Sequence, residues 1–169
     1  MNPLKFLDSY QREDLQFFFG RERETDELYN KVKRSRLFVL YGLSGTGKTS
    51  VVRCGLANRF DPVNCLEVYI RRETHMLQAM RKCIQEAADT FIPQRTDHIQ
   101  ALSLLYVETL RPIFLIFDQF EEIFISGSND EIEEFSQFLG KVSSDDGINV
   151  NILLIVREEY MGQLERLES

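Results

Sequence analysis

Apolar residues along this chain fall into two kinds of pattern. Three short unbroken runs, Leu37 to Tyr41, Ile113 to Phe117 and Ile152 to Val156, stand between polar or charged stretches. Runs of that length without alternation mark strands covered on both faces, as in a parallel sheet held between helices. A fourth segment, Leu66-Glu67-Val68-Tyr69-Ile70, alternates and suits an edge strand. Elsewhere the apolar positions recur at helical spacing. Leu28, Tyr29 and Val32 form a stripe leading into the first strand. Thr74 opens a helix with Leu77, Met80, Ile84, Ala87 and Ala88 on one side and Pro93 as its stop. Thr96 opens another through Ile99, Leu102, Leu105 and Tyr106, halted before Pro112. Ser128 and Glu131 have capping-box spacing ahead of Ile132, Phe135, Phe138 and Leu139. This alternation predicts an α/β fold with a parallel sheet and a helical hairpin inserted between the second and third strands. Without a repeat, linker or low-complexity tract, residues 1–169 read as one domain.

Composition narrows the picture only a little. With 43% hydrophobic and 28% charged residues the chain can build a core, which excludes a charge-expanded disordered chain. Twenty basic against twenty-seven acidic residues give a net charge of -7, which disfavours general nucleic-acid binding. The apolar runs are far short of the roughly 20 residues that span a bilayer, so no membrane association is expected. Cys54, Cys65 and Cys83 have no CxxC spacing and read as small buried hydrophobes of a reduced, cytoplasmic protein. His75 and His98 are isolated and read as surface or capping positions, Arg71-Arg72 as a solvated strand end, and Glu131 to Glu134 as an acidic helix start.

The chemistry is concentrated in Gly42-Leu43-Ser44-Gly45-Thr46-Gly47-Lys48-Thr49-Ser50, which fits GxxxxGK[ST] directly after the first strand. Gly42, Gly45 and Gly47 let the backbone curl so that successive N–H groups, those of Ser44 and Thr46 among them, point inward as an anion nest. A helix over roughly 48–59 adds the positive end of its dipole. Lys48 brings a point charge to the β- and γ-phosphates, and the Thr49 hydroxyl is a ligand for Mg2+. About seventy residues on, the strand Ile113 to Phe117 ends in Asp118-Gln119-Phe120-Glu121-Glu122. Asp118 is the expected second holder of the Mg2+. Glu121 and Glu122 are both candidates to polarise an attacking water, with Glu122 favoured. Arg157 closes the last strand, where its fork could register a γ-phosphate.

Together these motifs resemble the STAND class of signal-transduction NTPases, a regulatory branch of the AAA+-like P-loop ATPases, and in particular a bacterial group whose metal strand ends in Asp-Gln-Phe-Glu-Glu. Phe18-Phe19-Gly20-Arg21-Glu22-Arg23-Glu24 is similar to that class's N-terminal signature of two apolar residues followed by GRExE. The resemblance runs from about Asp14 to Arg157. It implies a three-layer sandwich whose sheet of about four strands has the order 2-3-4-1, with the glycine-loop strand at an edge. It also implies ATP or ADP with Mg2+ as cofactors, and places Phe19, Gly20 and Arg21 against the adenine and ribose. Packing of Phe17-Phe18-Phe19 in the core is the competing reading of that segment, and both can hold in part. Members of the class continue into a helical lid and a winged-helix domain, so a chain ending at Ser169 reads as the nucleotide-binding domain of a longer protein.

Three functions compete. The leading one is an ATP-binding, slowly hydrolysing switch in a signalling or defence regulator, working through self-association or attached effector and sensor domains. An edge strand as apolar as Leu37 to Tyr41 favours such self-association. The second is a non-catalytic scaffold held closed by ADP or ATP. The third, a small P-loop kinase, lacks an arginine-rich lid segment after the third strand.

Overall fold

A computed structural model describes residues 8–145 and 147–167. Four strands, β1 (Leu37–Gly42), β2 (Leu66–Arg71), β3 (Ile113–Asp118) and β4 (Val150–Arg157), form one parallel sheet in the order β1-β4-β3-β2. This is the expected 2-3-4-1 order read from the other edge. The central strands show why their sequences are unbroken apolar runs. Along β3, Ile113, Leu115 and Phe117 enter one core while Phe114 and Ile116 enter the other. On β4, Ile152, Leu154 and Val156 likewise alternate with Leu153 and Ile155. At the edges, β2 and β1 are less buried, and Leu37 and Tyr41 are largely exposed.

One face is covered by α1 (Glu22–Val32) and by α2 (residues 48–59), the helix that springs from the glycine loop. The middle of α2, Val51–Leu56, widens to a π-helical turn. The other face carries α3 (Met76–Ala87), α4 (His98–Thr109) and α6 (Asn129–Ser144), while α5 (Glu122–Ser126) is a short turn after β3. As expected, α3 and α4 form the hairpin between β2 and β3. After β4 comes a 3-10 stretch, Glu158–Leu167, tied to α6 by the Ser136 hydroxyl donating to the Leu167 carbonyl at 2.8 Å. Among the described residues no helix is long and apolar enough to cross a membrane.

Several local expectations shift. The first hairpin helix begins at Met76 with His75 as its cap residue, not at Thr74, and the second begins at His98 capped by Asp97, not Thr96. The Asp97 carboxylate accepts from Gln100 N at 2.8 Å, a stronger cap than the threonine hydroxyl one residue earlier. The α3 helix also ends before Pro93 acts on it. Glu108 on α4 accepts from the N–H groups of Asp89 and Thr90, and Gln85 from that of Ile92, which draws the chain out of the helix.

The Ser128–Glu131 capping box forms only by half. Ser128 Oγ accepts from Glu131 N at 3.1 Å, but the Glu131 side chain turns to other partners. It takes Arg72 Nε and Nη2 at 2.9 Å each and the Met76 N–H at 2.7 Å, so it caps α3 instead. Arg72 is accordingly no solvated strand end. Its side chain is 9% exposed against 2% for Glu131, and the Ser126 and Thr74 oxygens give its guanidinium acceptors beyond the pair itself. Burial alone would raise the Glu131 carboxyl, but Arg72 and the Met76 N–H hold it below its usual value.

Candidate functional site

The parallel register brings the functional strand ends to one edge of the sheet. Gly42 lies opposite Arg157, and Arg71 opposite Asp118. Above these ends opens a cleft of about 640 Å³. Ser44, Gly45, Gly47, Lys48, Thr49 and Ser50 line it from the loop, and Asp118, Glu121 and Arg157 from the strand ends. Ligands favour this position in open α/β sheets, outside the carboxyl ends of the strands.

Gly45 and Gly47 have φ of +76° and +80°, the left-handed region in which a side chain is strained, so the loop's curl requires glycine there. Lys48 lies back along the loop, its Nζ donating to the carbonyls of Gly42 at 2.7 Å and Leu43 at 2.8 Å. Thr46 closes the turn by donating to Leu43 O at 2.8 Å. Thr49, at the start of α2, donates through its hydroxyl to Asp118 Oδ1 at 2.9 Å. Asp118 is 4% exposed. Two hard oxygen donors converging beside an anion nest suit a Mg2+ ion that completes its shell with phosphate and water. Among the described residues no cluster of three acidic, histidine or cysteine side chains exists that would hold a metal without such help.

After Asp118 the chain turns sharply. Gln119 takes φ +54° and faces the cleft, while Phe120 drops into the core against Phe117 and Phe135. This turn separates the two glutamates. Glu121 lines the cleft, is 1% exposed, and has both oxygens engaged by Arg157, through the main-chain N–H at 3.2 Å and Nε at 3.0 Å. Glu122, favoured from sequence, starts α5 and does not line the cleft; its charge bears on Arg72 instead.

Phe19, Gly20 and Arg21 also stand outside the cleft lining. Phe18 packs into the core beside α2, and Phe19 is 76% exposed, so the aromatic run divides between the two readings. Arg21 reaches the tip of the loop, donating through Nη2 to Thr46 O at 3.0 Å.

Some residues of the cleft were not expected there from sequence: Asp8, Ser9, Tyr10, Arg53 and Gln119, together with Arg71, which was read as a solvated strand end and instead lines the cleft. Tyr10 joins the wall because its N–H donates to Ser50 Oγ at 3.1 Å, a contact with no sequence signal. Arg53 had one, since it follows Thr49 by four positions and so shares its face of α2. Arg71 donates to Gln119 Oε1.

A glycine loop after an edge strand, facing an acidic strand end across a parallel sheet, defines a P-loop NTPase domain. The family model described as Novel STAND NTPase 1 matches residues 3–169, and the chain belongs to that family. No curated protein matches. Among solved structures, the Walker-type ATPase PABY2304 of Pyrococcus abyssi has a TM-score of 0.67 at 19% identity, covering 96% of this chain and 51% of its own. The ORC2 protein of Aeropyrum pernix has a TM-score of 0.63 at 17% identity, covering 89% and 46%. Cdc6p from Pyrobaculum aerophilum has a TM-score of 0.56 at 17% identity, covering 82% and 39%. These likenesses establish the fold. The chain spans about half the length of the first two and less of the third.

Proposed function

We propose that this domain is an adenine-nucleotide switch: it binds ATP or ADP with Mg2+, hydrolyses ATP slowly, and passes the difference to attached domains or a second copy of itself. The observation that carries this reading is the 2.9 Å contact between Thr49 and Asp118 beside the glycine loop. The loop amides and Lys48 would hold the polyphosphate, with Lys48 leaving the Gly42 and Leu43 carbonyls for it. Thr49 and Asp118 would hold the Mg2+, which when bound offsets the phosphate charge as it develops. The Aeropyrum pernix ORC2 protein was solved in ADPNP–ADP complexes, which supports the choice of base.

The state of Glu121 supports slow turnover. The Arg157 main-chain N–H holds Oε2 and its guanidinium holds Oε1, so Oε1 is not free to polarise water until the guanidinium turns away, and a γ-phosphate beside Arg157 is a competing partner for it. The same pairing favours a second reading, a non-hydrolysing scaffold in which the ion pair is permanent. Single-turnover ATP hydrolysis separates the two. A switch loses turnover and traps ATP in Glu121→Gln, with Glu122→Gln near wild type; a scaffold shows no turnover in any form. Loss of turnover in Glu122→Gln alone would contradict the role given to Glu121. The exposed apolar edge of β1, with Leu37 41% and Tyr41 56% exposed, supports pairing with a second copy. We further take residues 1–169 as one domain of a longer cytoplasmic signalling or defence regulator, on the strength of the family.

A further inference from the structure

Among the described residues four cationic side chains line the cleft, and three have partners away from the metal position. Lys48 is on the loop carbonyls, Arg157 on Glu121, and Arg71 on Gln119. Arg53 differs. Its Nε lies 3.8 Å from Asp118 Oδ2, the carboxylate oxygen that Thr49 does not take. That nitrogen is buried and has no hydrogen-bond partner. A buried cationic N–H left unbonded is costly. It is tolerated here because the guanidinium stacks over the Tyr69 ring, 5.1 Å from its centroid, and faces Asp118.

We propose that Arg53 is the resident cation of the metal position: it neutralises Asp118 when no divalent ion is there, and so sets how much Mg2+ the site requires. This inference rests on the nucleotide reading above. Asp118 would repel a nucleotide's charge less with Arg53 in place, so ADP is held on the loop without metal. A Mg2+ ion taking its place on Asp118 must displace the guanidinium or tolerate its charge. The side chain has somewhere to go. Arg53 also lines a second cavity of about 350 Å³, bordered by Tyr69 as well, where Glu67 accepts from Tyr69 Oη at 2.8 Å and pairs with Arg12 at 2.6 Å. Arg53 is thus a positioning residue for Asp118 and does not itself act on the bond that breaks.

The test is calorimetric titration of ADP into wild type, Arg53→Met and Arg53→Lys, in EDTA and across a MgCl2 series. Arg53→Gln replaces the methionine variant if that one does not fold. A unit charge about 5 Å from a divalent ion shifts its affinity at least about tenfold even at the dielectric of water. The neutral variant should therefore bind ADP about tenfold more weakly in EDTA, yet reach half-effect at about tenfold less Mg2+. Arg53→Lys should track wild type. Opposite signs in the two readouts are what a merely loosened site would not give. Unchanged Mg2+ dependence in the neutral variant, or a parallel loss in both readouts, overturns the role of Arg53 alone. Wild type that binds no ADP at any Mg2+ overturns the nucleotide reading and this inference with it.

Discussion

Gly55 lies within α2, where alanine would ordinarily gain about 1 kcal/mol over glycine. Its surroundings reverse the sign. A Cβ there would stand 2.4 Å from Thr25 Oγ1, and 3.1 Å from both Thr25 Cγ2 and Phe18 Cε1. Thr25 is 3% exposed and β-branched, so rotating its hydroxyl away only brings its methyl in. Overpacking costs about 1–3 kcal/mol, and a contact as short as 2.4 Å belongs in the upper half of that range, leaving Gly55→Ala about 1–2 kcal/mol less stable after the helical gain. For a domain of this size that is a loss of about 2–8 °C in Tm. Thr25→Ala makes the room, and because Thr25 Oγ1 is buried with no hydrogen-bond partner, removing it should cost little by itself. The double variant should then melt well above Gly55→Ala, with a coupling of about 1 kcal/mol or more. Thermal melts of the four proteins decide it. If Gly55→Ala melts at or above wild type, or if the two changes simply add, α2 and α1 are not packed as tightly as the structure has them.

Two further outcomes follow from particular contacts. Arg72→Met strands the buried Glu131 charge and should cost about 3–5 kcal/mol at neutral pH, read by urea denaturation. Because Glu131 is held below the usual 4.5 in the folded protein, its stabilisation is present above that pH and is lost as pH falls through the folded value, so the gap between wild type and variant should narrow on acidification. A gap that stays constant down to pH 3 would remove the ion pair from the account. The open edge of β1 should give a mass by light scattering that rises with concentration and falls back in Leu37→Lys; a concentration-independent monomer would count against pairing.

Much of this was legible in the chain because burial on both faces leaves no polar position in a strand. That is why Ile113 to Phe117 and Ile152 to Val156 could be placed, and why a loop as constrained as Gly42 to Thr49 announces itself. The sheet order came from family likeness, since strand pairing is not written in local spacing. Side-chain partners across the fold were not legible. Nothing near Glu131 in sequence points to Arg72, 59 positions away, and nothing in Glu121-Glu122 says that the left-handed turn at Gln119 sends one carboxylate into the cleft and the other out of it. Arg53 could have been found, since helical periodicity aligns it with Thr49.

Thermal melting with ATP, ADP and GTP, with and without Mg2+, tests the central claim most directly. A ligand at 100 times its Kd stabilises a folded domain by about 2.7 kcal/mol, here about 5–10 °C. Adenine nucleotides should give that shift in wild type, GTP less, and Lys48→Ala none. A folded wild-type protein whose Tm no nucleotide moves, or a shift that survives intact in Lys48→Ala, would contradict the claim that residues 42–49 hold a polyphosphate.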